Sequence, residues 1–226
     1  MAGFKKLRGR KFSVPHGFTV TAHSGCMGLS ENSIEAMEAG VAAGAQIVEF
    51  DLRFTSRGEP VLSHDEPVGE CVPLREAFAF LAAHPGIRAN VDVKTTEHLE
   101  CVAPMARQAG VLDRIFFTGI CVQDVPAVRE KCPDVPYYLN VKVPFYTRVE
   151  KLAAKTRALG AVGVNVSAGN LSERLTRYFR QNGLLTSVWT IDSARKARRV
   201  LPMQPDNVTT RWPDRIAESV EKRDEA

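Results

Sequence analysis

Apolar and polar positions along the chain alternate between two rhythms: short β-rich runs, and longer segments with apolar residues at helical spacing. The stretch from Phe18 to Asp65 reads as strand Phe18–Ala22, helix Ser33–Ala43, strand Gln46–Arg53 and a short strand Pro60–Ser63. A helix Pro73–Ala83 follows, with proline in its first turn; it stops at His84-Pro85-Gly86 and leads to strand Arg88–Lys94. Helix Glu97–Ala109, strand Arg114–Thr118, helix Val122–Lys131 and strand Val135–Val141 come next. Then come helix Thr147–Leu159, strand Val162–Ser167, helix Ser172–Gln181 and strand Leu184–Thr190. Helix Ser193–Leu201, strand Asn207–Thr210 and helix Pro213–Glu221 complete the pattern. About eight strand–helix units in alternation argue for a parallel sheet, most simply a closed α/β (β/α)8 TIM barrel, one domain over residues 1–226. An open doubly wound sheet is the alternative. No G-x-G-x-x-G follows a strand, so its dinucleotide-binding form has no support.

Composition fits this picture. The 226 residues suit one barrel, and 44% apolar residues can bury its core. A net charge of +4 gives no argument for nucleic acid. No run approaches the ~18 apolar residues that span a bilayer, so no stable membrane insertion is expected. Met1 to Lys11 is basic, but Phe12–Val20 is broken by Ser13, Pro15, His16 and Gly17, so no signal peptide is expected. Lys5, Lys6, Arg8, Arg10 and Lys11 read as a solvated tail or an outer strand at the barrel bottom rather than a lipid-binding patch. Cys26, Cys71, Cys101, Cys121 and Cys132 are scattered, odd in number and without C-x-x-C spacing, which suggests free thiols in a reducing cytoplasm. The sequence does not fix the oligomeric state.

Residues able to do chemistry gather where strands end: His23, Glu49, Asp51, His64, Asp92, Lys94, Asn165, Ser167, Trp189 and Thr210. Active sites of such barrels sit at that end. Strand alternation puts Glu49 and Asp51 on one face, with Val48 and Phe50 on the other. Two neighbouring carboxylates in an apolar strand repel each other and resist desolvation. A bound divalent cation offsets that cost, and so would Lys or Arg pairing across the barrel. His16, His84 and His98 read as surface positions.

Several short motifs in order resemble the glycerophosphodiester phosphodiesterase family. That family reads H-R-G, E-N-T, E-x-D and H-D; this chain has His23-Ser24-Gly25, Glu31-Asn32-Ser33, Glu49-Phe50-Asp51 and His64-Asp65. Asp92-Val93-Lys94 resembles its E-x-K. Ser187-Val188-Trp189-Thr190 and the segment Asn207 to Pro213, near a closing T-D-x-P, carry the likeness to the end. The resemblance implies metal-dependent hydrolysis of a small glycerophosphodiester, or a related diester, to sn-glycerol 3-phosphate and an alcohol. It implies His23 and His64 as general acid and base, and Glu49, Asp51 and Asp92 as ligands of Mg²⁺ or Ca²⁺. Ser24, Lys94 and Trp189 would meet the substrate, while Asp65 and Asn32 would support the catalytic groups. The chain departs from the pattern where Ser24 replaces the arginine of H-R-G. It departs again where Glu66 to Val72 runs almost directly into a helix, without the family's usual inserted subdomain. Arg53 is a candidate to stand in for the lost cation, although a salt bridge or a solvated rim suits it better. The alternatives are a phospholipase C- or D-like diesterase or lyase on the same barrel, and a catalytically impaired diester-binding protein.

Overall fold

The computed structural model describes residues 18–141 and 148–216. Among the described residues, ten strands form one sheet: β1 (Thr19–Ala22), β2 (Ile47–Phe54), β3 (Pro60–Leu62), β4 (Val72–Pro73), β5 (Arg88–Val93), β6 (Ile115–Ile120), β7 (Tyr137–Asn140), β8 (Gly163–Ser167), β9 (Leu185–Trp189) and β10 (Asn207–Thr210). Eight of them, β1, β2 and β5 to β10, pair in parallel in chain order, and β1 bonds both β2 and β10. The ring is therefore closed: this is the (β/α)8 barrel that the alternation predicts. Its helices are α1 (Ile34–Ala42), α2 (Leu74–Ala83), α3 (Val102–Gln108), α4 (Val125–Lys131), α5 (Val149–Ala158), α6 (Glu173–Gln181) and α7 (Ala194–Val200). Among the described residues, no helix is long and apolar enough to cross a membrane.

Local chemistry sets the element ends. Ser33, Ser172 and Ser193 cap α1, α6 and α7, each hydroxyl accepting the N–H three residues on. The expected strand Val135–Val141 shortens to Tyr137–Asn140, because Pro136 has no N–H for the ladder; its carbonyl instead accepts from Phe117 N. The helix expected from Glu97 begins later, since His98 is left-handed (φ 53°) and a 3₁₀ turn precedes α3. The N-terminal basic run and most of helix Pro213–Glu221 lie outside the described residues, as does Thr147.

The short run Pro60–Ser63 forms no barrel strand. β3 pairs antiparallel with the end of β2, Leu52 opposite Leu62 and Phe54 opposite Pro60. The few residues from Thr55 to Glu59 can turn a hairpin but cannot make a parallel crossover. The hairpin runs above the barrel and returns, so His64 arrives back at the mouth, with Ser63 N donating to Asp51 O.

Strand alternation separates two interiors. Outward residues such as Val48, Phe50, Leu52, Val91 and Phe117 are fully buried against the helices in one large core. Inward residues change character with height. Ile47, Phe116 and Tyr138 form a separate apolar plug at the start of their strands, with the Phe116 and Tyr138 rings 5.4 Å apart. One step up, Asn207 Oδ1 accepts from Thr19 and Thr21 hydroxyls at 3.0 and 2.9 Å, and its Nδ2 donates to Ser187 Oγ at 3.0 Å. Above that polar layer lie the groups that could do chemistry.

Candidate active site

Register brings the acids together. β2 and β5 pair Glu49 with Asn90 and Asp51 with Asp92, and β5 and β6 pair Asp92 with Thr118. In-register residues of adjacent strands share a face about 4.8 Å apart. Glu49, Asp51 and Asp92 can accordingly present one oxygen each, all within 4.8 Å of one another. Glu49 and Asp51 are 6% and 3% exposed, so little water screens their charges.

Each carboxylate is held. Glu49 Oε2 accepts Ser24 N–H at 2.8 Å and lies 3.8 Å from His23 Nδ1. Asn32 clamps Asp51 from both sides: its Nδ2 donates to Asp51 Oδ2 and its Oδ1 accepts Asp51 N–H, both at 2.9 Å. Asn32 does this from a left-handed turn (φ 61°), a conformation asparagine tolerates. Thr118 Oγ1 donates to Asp92 Oδ1 at 2.7 Å.

Lys94 lies between two of the acids, its Nζ 2.8 Å from Asp51 Oδ1 and 2.6 Å from Asp92 Oδ2. Burial opposes its charge, but Asp92 and Asp51 more than offset this and hold it above the ordinary lysine range. Lys94, at the end of the neighbouring strand β5, thus satisfies Asp51 and Asp92, while Glu49 gains no cation within salt-bridge distance among the described residues except the His23 ring. Burial first, then Asp51 and Asp92, push the Glu49 carboxyl well above the usual carboxylate range. An excess of buried hard oxygen donors is what a divalent cation would relieve, so these residues fit such an ion.

One cavity of about 530 Å³ joins these groups to both histidines, with His23, His64, Lys94 and Trp189 in its wall. Ser24 Oγ meets His23 Nδ1 at 3.2 Å. Burial, and secondarily Arg211, keep His23 below the usual histidine pKa. His64 is far more exposed, and its Nδ1 lies 3.0 Å from Asp65 Oδ1. Arg53 forms the salt bridge, with Glu66, and donates to His64 O at 3.0 Å, so it braces the His64 loop. Ser24 is 4% exposed and is spent on His23 and Glu49, outside the cavity lining. Of the histidines expected at the surface, His98 is exposed, His84 is half-buried and stacks on Phe80 at 4.2 Å, and His16 lies outside the described residues. No disulfide joins Cys26, Cys71, Cys101, Cys121 or Cys132.

Two of the lining residues do more than their place in the sequence suggests. Arg211 reaches the cavity, bonded to Asp192 at 3.0 Å and to Glu31 at 3.3 Å. It sits in Thr210-Arg211-Trp212-Pro213, where T-D-x-P would place an acid, so a cation absent at position 24 is matched by one gained at 211. Its signal was present in that mismatch. Asn165, read only as a strand-end residue, faces the cavity with its Oδ1 buried and without a hydrogen-bond partner, while its Nδ2 donates to Asn140 Oδ1 at 3.2 Å.

Comparisons with known proteins agree on one family. The model of the glycerophosphoryl diester phosphodiesterase family matches residues 8–100 and 90–215. The Bacillus subtilis protein YhdW, provisionally named a glycerophosphodiester phosphodiesterase, is 22% identical over 236 residues, covering 87% of this chain and 96% of that protein. A Silicibacter pomeroyi structure, provisionally named a glycerophosphoryl diester phosphodiesterase, superposes with a TM-score of 0.80 at 18% identity over 98% of each chain. An Oleispira antarctica phosphodiesterase in complex with the product sn-glycerol-3-phosphate gives a TM-score of 0.77 at 17% identity, over 90% of this chain and 96% of that one.

Proposed function

The chain belongs to the glycerophosphoryl diester phosphodiesterase family, whose members are phosphoric diester hydrolases, and on that premise we propose that it hydrolyses a glycerophosphodiester to sn-glycerol 3-phosphate and an alcohol with the help of a divalent cation. The observation that carries this reading is the meeting of Glu49, Asp51 and Asp92 with His23 and His64 in one cavity. The Oleispira antarctica relative holds the same kind of product.

Glu49, Asp51 and Asp92 would hold the ion, which when bound would supply charge neutralisation at the phosphoryl oxygens. His23, neutral at physiological pH because burial disfavours its charged form, takes a proton from the water that attacks phosphorus. Ser24 and Glu49 fix the His23 ring. His64, with Nδ1 turned to Asp65, uses Nε2 to give a proton to the leaving alcohol oxygen as the P–O bond breaks. Lys94 keeps Asp51 and Asp92 in place and presents a positive charge to a phosphate oxygen. Asn165 Oδ1 accepts a glycerol hydroxyl at the cavity floor. The exposed face of Trp189 covers the mouth.

Purified protein incubated with glycerophosphodiesters, with and without Mg²⁺, Ca²⁺ and Mn²⁺, tests this reading. Cation-dependent release of glycerol phosphate, followed by ³¹P NMR, is expected. A persistent cyclic phosphate would instead identify a lyase, and no turnover of any diester would defeat the proposal.

A further inference from the structure

The catalytic cavity does not end at Trp189. A second cavity, of about 770 Å³, shares Trp189, Thr190 and Arg211 with it. The two differ in charge. The first carries Glu31, Glu49, Asp51 and Asp92 against Lys94 and Arg211. The second carries Arg195, Lys196, Arg199 and Arg211 against Asp192 alone, and Asp192 is already paired with Arg211. Most of this charge comes from α7 and its flank, whose sequence Ser193-Ala194-Arg195-Lys196-Ala197-Arg198-Arg199 holds four cations and no acid.

These cations are placed rather than merely solvated. Lys196 Nζ donates to Thr190 O at 3.2 Å, and Arg199 donates to Ala168 O, so both are tied to carbonyls on the rim with no carboxylate partner among the described residues. Arg195 makes no side-chain hydrogen bond or ion pair among the described residues. Cations held near one another without counter-charge repel, and an anion between them relieves that cost.

We infer that this second cavity is a subsite for an anionic group on the leaving alcohol, so that the preferred substrate is a glycerophosphodiester whose alcohol bears a phosphate. The inference rests on the hydrolysis proposed above. With the diester phosphorus among the acids and the glycerol toward Asn165, the alcohol departs past Trp189 and Arg211, the route both cavities share. Hydrolysis is unchanged in its balance: water adds to phosphorus, the alcohol oxygen takes the proton, and the extra phosphate is only a handle.

The test compares kcat/KM for glycerophosphocholine, glycerophosphoglycerol and a glycerophosphoinositol phosphate, whose alcohols are cationic, neutral and phosphorylated. The phosphorylated substrate is expected to lead by about tenfold or more, as two partly exposed charge contacts allow. Added salt should shrink that lead. The double variant Arg195→Ala/Lys196→Ala should remove it, while glycerophosphoglycerol turnover stays within about twofold. Equal kcat/KM for all three, or a lead that survives the double variant, overturns the subsite but not the hydrolysis. If no diester is turned over, the hydrolysis reading fails, and tryptophan fluorescence on titration with the same three compounds decides the subsite: selective binding of the phosphorylated one keeps it, equal or absent binding removes it.

Discussion

At the residue scale, the site combines one guarded histidine and one open one. His23→Ala and His64→Ala are each expected to lower kcat by about 10²–10⁴-fold with the fold intact, since neither ring supports the apolar core. The double variant should lose less than the product of the two, because one proton transfer is idle without the other. Steady-state kinetics with circular dichroism checks both statements. Glu49 gives a stability prediction. Its folded pKa is raised by burial and then by Asp51 and Asp92, so its contribution is complete below its ordinary value of 4.5 and is lost as pH rises through the raised one. Melts of the metal-free protein should therefore fall with rising pH above that value, and Glu49→Gln should flatten the fall. Adding Mg²⁺ or Ca²⁺ to about a hundred times its Kd should stabilise the wild type by about 2–3 kcal/mol and the variant by far less. The acids and histidines were legible in the sequence because strand alternation alone puts Glu49 and Asp51 on one face. Arg211 was legible only as a departure from T-D-x-P, because which cations point into a barrel mouth depends on loop paths that no periodicity encodes.

At the element scale, β8 and β9 approach so closely that one position admits no side chain. A Cβ on Gly163 would lie 2.1 Å from Leu185 O, a backbone atom that the sheet holds in place. Gly163→Ala should therefore cost about 1–3 kcal/mol, read as a lower denaturant midpoint. The strand–helix rhythm made the barrel legible, since each helix covers outward strand positions. The hairpin was not legible as a hairpin. Pro60–Ser63 is β-rich like the barrel strands, and only the short turn before it reverses its direction.

At the scale of the whole molecule, closure depends on residues far apart in the chain. Asn207 of the last strand bonds Thr19 and Thr21 of the first, 188 and 186 positions away. Asn207→Ala leaves the buried hydroxyls of Thr21 and Ser187 without their Asn207 partner, while Thr19 keeps Asp206 O at 3.3 Å, and should cost about 1–3 kcal/mol with an unchanged m-value. The ring that results has no free edge, whereas β3 and β4 are, among the described residues, strands attached to its outside. One histidine stands on the ring and the other on this attachment. The acid–base pair is thus mechanically divisible: provided Leu62 stays in the core and Ser63 N stays on Asp51 O, the rest of the attachment can be lengthened, shortened or exchanged without disturbing the cage of acids beneath it. Reach toward new leaving groups can be tuned by grafting hairpins, with the frame left as it is.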